Sequence, residues 1–99
     1  MTVYISGPIT GYPDFNKKAF AEAEEYLLSK GYRVINPQKI TPFNEEWDWE
    51  DYMKEDLKLL LECDAIYMLN NWEKSKGACL ELGLARSLGY CVIPVKGDM

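Results

Sequence analysis

Four short apolar runs, TVYIS at 2–6, YRVI at 32–35, AIYML at 65–69 and CVIPV at 91–95, are separated by three longer segments of helical periodicity. That alternation constrains the fold more than any other feature of the chain. Short runs rich in β-branched and aromatic side chains, bounded by Gly, Pro and Asn, read as strands. Between the first two, Phe15, Ala19, Phe20, Ala23 and Leu27 recur at three-to-five spacing, with Asp14 as the expected N-cap and Gly31 as the stop. Asn36-Pro37 ends the second strand, because a residue before proline is held out of helical geometry, and a loop is expected from there to about Trp47. A second helix is predicted over 49–62, with Asp48 as its cap and Trp49, Tyr52, Met53, Leu57, Leu60 and Leu61 on one stripe. A third is predicted from Ser75 to Leu88, closed by Gly89. Pro94 pushes the last strand toward a sheet edge.

The order β-α-β-α-β-α-β with near-continuous apolar strands is the pattern of a parallel sheet covered on both faces. The expected architecture is α/β: three layers, a flavodoxin- or Rossmann-like sheet of about four strands in the order 2-1-3-4, and helices on both sides. With 99 residues the chain makes a single domain, 1–99. A domain this small buries a modest share of its surface, so a homo-oligomer is expected. In the order 2-1-3-4 the chain leaves strand 1 toward one edge and strand 3 toward the other, which opens a crevice between the loops that follow them. Those loops are GPITG (7–11) and NNWEKSKG (70–77).

Composition removes several classes of function. Sixteen acidic residues against eleven basic ones give a net charge of −5, the wrong footprint for a nucleic-acid binder. No apolar run approaches a membrane span, and the N-terminus lacks a basic stretch followed by a long apolar one, so neither a membrane nor export is expected. Cys63, Cys79 and Cys91 show no metal-ligand spacing and read as reduced core thiols of a cytoplasmic protein. Histidine is absent, which removes the usual neutral-pH acid/base and any Ser-His or Cys-His pair. No metal or cofactor is expected, and chemistry falls to carboxylates.

Two carboxylates break the helical pattern. Asp56 lies four residues after Tyr52 and four before Leu60, on the apolar stripe, where an ionised group is costly unless paired. Glu81 shares its face with Ala78, Ala85 and Leu88. Either acid alone reads as a cap or a lysine partner; two inward acids flanking one crevice point to a site. Tyr4 shares a strand face with Ser6, and its phenol is placed either to hold a carboxylate or to fill the core. Gly7 and Gly11 bracket a loop that reads as a plain tight turn or an anion cradle. Ser75 is an N-cap whose hydroxyl, with the amides of Lys76 and Gly77, also suits a phosphate; Lys74 and Lys76 are solvated loop cations or its counter-charges. Phe43, Trp47, Trp49 and Tyr52 offer aromatic faces for a planar base, or packing for a long loop.

Three strings, VYISGPITG, DLKLLLECD and SKGACLELGLA, span nearly the whole chain in order. Together they resemble the nucleoside 2-deoxyribosyltransferase-like superfamily, and overall the chain looks most similar to its small, often phage-encoded members. The resemblance implies Glu81 as nucleophile, the Tyr4 phenol as its orienting partner, and Asp56 as the carboxylate that contacts the sugar or the leaving base. It also implies that Ser75 and the 7–11 loop (Gly7, Pro8, Ile9, Thr10 and Gly11) hold the nucleotide's phosphate, and Ser6, Gly77 and Trp47, placed beside the crevice by their own segments, are expected to contact the substrate as well. The transferase branch carries an acidic residue where this chain has Ser75; serine looks more like the 2′-deoxynucleoside 5′-monophosphate N-hydrolase branch, although lysines stand here in place of that branch's phosphate-binding arginines. The expected function is an N-glycosidase that cleaves the base from a (deoxy)nucleoside 5′-monophosphate through a covalent glutamyl-sugar intermediate. The alternatives are base exchange by a 2-deoxyribosyltransferase and a non-catalytic nucleotide-binding module. The expected partner is a small nucleotide or nucleoside.

Overall fold

A computed structural model of the chain describes residues 1–41 and 44–93. Phe43 and the Pro94-Val95 end of the predicted fourth strand lie outside the described residues. Four parallel strands, β1 (Thr2–Ser6), β2 (Arg33–Ile35), β3 (Ala65–Met68) and β4 (Cys91–Ile93), form one sheet in the order β2-β1-β3-β4. Val3 pairs with Val34 on one side and with Ala65 on the other, and Ala65 in turn with Cys91.

Strand alternation divides the core in two. Val3, Ile5, Ala65, Tyr67 and Leu69 bury with Phe20, Ala23 and Leu27 of α1 (Lys17–Ser29). Tyr4, Ile66 and Met68 bury on the other face with Leu60 of α3 (Trp49–Leu60), Cys63, and Ala78, Leu82 and Ala85 of α4 (Lys76–Ser87). One helix covers one face and two cover the other, so the expected three layers are present. The helical stops behave as read: Gly31 and Gly89 have φ of 88° and 77°, a region that costs glycine little.

Several local expectations are corrected. Asp14 does not cap α1: Asp14, Phe15 and Asn16 all carry positive φ (49°, 56° and 63°) in a 3-10 turn, Pro13–Asn16, and the helix begins at Lys17 without a side-chain cap. Asn16 instead donates its side-chain amide to the Pro8 carbonyl at 2.9 Å. The segment read as a loop holds a short helix, α2 (Pro37–Ile40), started by Asn36 accepting from the Gln38 amide at 3.0 Å with Pro37 at its first position. Leu61 and Leu88 take the C-cap positions of α3 and α4 and turn outward, 57% and 50% exposed, instead of joining their stripes. Only Cys63 is a core thiol; Cys79, on the outer side of α4, and Cys91, on the edge strand, are free and exposed. Burial pushes the Cys63 thiol up to about 12, which keeps it protonated.

Candidate active site

The face of β1 that meets α4 carries Tyr4 and Ser6, two residues apart and both buried. Ser75 starts α4 by accepting from the Ala78 amide at 3.1 Å, which sets the helix so that Ala78, Glu81, Leu82 and Ala85 turn toward the sheet. Glu81 then stands over the end of β1. The Tyr4 hydroxyl donates to Glu81 Oε2 at 2.6 Å and the Ser6 hydroxyl to Oε1 at 2.6 Å. Both carboxylate oxygens thus have a donor, and the side chain is locked in one orientation.

On α3, Met53, Asp56 and Leu60 bury at three- and four-residue spacing behind a reciprocal cap, in which Asp48 accepts from the Asp51 amide and Asp51 from the Asp48 amide. Asp56 is buried, and its Oδ1 accepts from the Thr41 hydroxyl at 2.7 Å. The Tyr52 hydroxyl both donates to the Asn44 carbonyl and accepts from the Asn44 amide, each at 2.8 Å, which ties the loop before α3 to that helix.

Both acids line one cavity of about 810 Å³, within the range of small-molecule sites. Of the residues expected at a site, Tyr4, Ser6, Gly7, Pro8, Ile9, Thr10, Trp47, Asp56, Ser75, Gly77 and Glu81 line it. Gly11 does not. Its φ of 85° lies in the left-handed region, which glycine adopts at little cost in the turn after the loop. Gly7 is required for a reason other than anion binding: a Cβ there would lie 2.6 Å from Leu69 Cβ. Trp47 packs edge-on to Tyr52 with ring centroids 5.2 Å apart, and the Lys76 ammonium sits 4.1 Å from the centre of the Trp49 ring.

Thr41, Lys17, Gln38 and Phe15 also line the cavity and were not singled out by sequence. Thr41 is fifteen residues from its acid partner in a segment read as loop, so no periodicity signalled it. The Asn36-Pro37 helix start, had it been read as one, would have brought Gln38 and Thr41 toward the crevice.

Burial raises the Glu81 carboxyl to about 7, against the pull of the Ser6 and Tyr4 hydrogen bonds and with the Asp56 charge adding to the rise. Burial likewise raises Asp56, against its Thr41 hydrogen bond and with the Glu55 charge adding. Tyr4 is raised well above the ordinary phenol range by burial first and then by the Glu81 and Asp56 charges, so it remains a donor. Among the described residues no three His, Cys, Asp or Glu side chains gather to hold a metal, and no helix is long and apolar enough to cross a membrane.

With this geometry in hand, the chain can be placed among solved structures. It resembles a 2-deoxyribosyltransferase from the psychrotolerant bacterium Bacillus psychrosaccharolyticus at TM-score 0.74 and 23% identity, over 100% of this chain and 76% of that one. It also resembles a 2-desoxiribosyltransferase from Leishmania mexicana at TM-score 0.69 and 22% identity, over 94% of this chain and 62% of that one. The class defined by the fold is therefore the α/β architecture of the 2-deoxyribosyltransferases. The family model described as "Domain of unknown function (DUF4406)" matches residues 1–94, and the chain belongs to that family. No curated protein sequence matches it.

Proposed function

We propose that the protein is an N-glycosidase acting on a nucleoside 5′-monophosphate, with 2-deoxyribose as the favoured sugar. The observation that carries this reading is the Glu81 carboxylate, buried, oriented by Tyr4 and Ser6, and sharing a cavity with a second buried acid, Asp56. Breaking an N-glycosidic bond passes through an oxocarbenium-like state that a fixed carboxylate stabilises and then captures. In the first step a Glu81 oxygen bonds to C1′ as the C1′–N bond breaks, and the bond's electrons leave with the base, which takes a proton from Asp56. In the second, water attacks C1′, gives its proton to Asp56 and releases Glu81 as carboxylate. Tyr4 and Ser6 hold the nucleophile in line throughout. Ser75, the 7–10 loop and the cations Lys17, Lys74 and Lys76 border the same cavity and provide hydroxyl, amide and ammonium groups for a 5′-phosphate.

Incubation with a panel of nucleoside monophosphates, followed by chromatography of free base, tests the reading. Release that is abolished in Glu81→Gln supports it; release unchanged in that variant ends the covalent mechanism. A second reading, base exchange, is favoured by the likeness of the fold to 2-deoxyribosyltransferases. Adding an acceptor base distinguishes it, since transfer yields a new nucleoside in place of free sugar. Self-association belongs to the same reading: Leu80, Leu88 and Val92 are exposed along α4 and β4. The three free thiols accord with a cytoplasmic, reducing setting.

A further inference from the structure

The two buried acids are not held alike. Both oxygens of Glu81 accept a hydroxyl proton, an arrangement that suits a carboxylate. Asp56 has one such bond, from Thr41 to Oδ1, and among the described residues its Oδ2 has no protein donor although the side chain borders the cavity. A carboxylic acid that accepts a hydrogen bond on one oxygen keeps its own proton on the other, because the accepting oxygen is then the carbonyl oxygen. We propose that Thr41 is a positioning residue, whose hydroxyl fixes the Asp56 proton on Oδ2 and so aims it into the cavity at the departing base. The proposal rests on the glycosidase reading and adds to it the residue that decides where the proton sits. The charged and titratable groups around Asp56 are Glu55 on its own helix and, across the cavity, Glu81 and Tyr4; none of them supplies a competing donor to Oδ1.

The proton passes from Asp56 Oδ2 to a nitrogen of the base as the C1′–N electron pair leaves with that base, and Asp56 becomes a carboxylate that Thr41 continues to hold. Without the Thr41 hydroxyl the proton is free to occupy either oxygen and the side chain to turn. Thr41 is half-buried at the end of α2, so Thr41→Val keeps the shape and removes only the donor.

Two substrates separate proton placement from a merely structural role. One is a 2-deoxynucleoside 5′-monophosphate, whose base needs a proton to leave; the other is nitrophenyl 2-deoxyribose 5-phosphate, whose nitrophenolate leaves without one. Thr41→Val is expected to lower kcat on the nucleotide by roughly 10- to 100-fold, a usual share for a general acid, with KM within about twofold and the nitrophenyl rate within about twofold. Thr41→Ser is expected to restore the nucleotide rate, and Thr41→Ala to repeat the valine result. Equal slowing of both substrates in the valine and alanine variants overturns the proposal while leaving the glycosidase reading standing. A wild-type protein inactive on both compounds overturns the glycosidase reading, and the proposal with it.

Discussion

Glu81 is buried among donors that favour its charge and a neighbouring acid that opposes it, and burial prevails. The folded protein therefore holds a proton between pH 4.5, the ordinary value, and about 7 that the unfolded chain has already released. The stability this contributes is complete below pH 4.5 and lost as pH rises through about 7. At 1.36 kcal/mol per pH unit the loss is about 3 kcal/mol, or roughly 10–20 °C in melting temperature for a chain of this size. The raised Asp56 adds a loss of the same sign. Melting curves from pH 4 to 8 are expected to show this fall in the wild type and a much flatter line in Glu81→Gln, which carries no charge to bury. Activity runs the other way: the nucleophile must be ionised, so kcat/KM of the free protein is expected to rise with pH through about 7. A flat rate profile across that value excludes Glu81 as the ionising nucleophile.

Helices and loops hold these side chains through a few specific contacts. Ser75 both caps α4 and borders the cavity, and the two roles separate by substitution. Ser75→Ala is expected to cost about 1 kcal/mol in denaturant unfolding through the lost cap, whereas Ser75→Asp keeps a capping oxygen and the stability. The aspartate places a negative charge beside the proposed phosphate position, so KM for a nucleotide is expected to rise in Ser75→Asp while KM for the matching nucleoside stays within about twofold. At the end of β1, Gly7→Ala would press a methyl group onto Leu69 Cβ, which is too close to its own backbone to give way. Chemical denaturation is expected to show a loss of about 1–3 kcal/mol, the usual result of overpacking. The left-handed run at Asp14 to Asn16 shows the limit of local reading: propensity favoured Asp14 as a cap, but the Asn16 amide is drawn back to the Pro8 carbonyl and the helix starts later.

For the whole molecule, the parallel order β2-β1-β3-β4 leaves β4 at an edge and an outward α4 face carrying Leu80 and Leu88, 46% and 50% exposed. Exposed apolar residues along α4 and β4 of so small a domain fit an interface between copies. Light scattering or sedimentation is expected to give a mass above that of one 11.4 kDa chain, and Leu80→Glu with Leu88→Glu to reduce it to one. A monomeric wild type at tens of micromolar would remove self-association from the proposal.

The order of the four strands and three long helices and the inward faces of Glu81, Asp56 and Tyr4 were legible in the sequence, because each follows from spacing: apolar runs alternating with helical periods, period two along β1, three and four along α3 and α4. Contacts between residues far apart in the chain were not legible. Thr41 on Asp56, Ser6 on the second oxygen of Glu81, and Leu69 against Gly7 arise only when separate strands, helices and loops come together, since no local period encodes the distance between them. The chain alone determined which faces turn inward; the folded structure decided which oxygens meet which hydroxyls, because hydrogen bonds are set within tenths of an ångström by packing that the pattern of apolar residues does not specify.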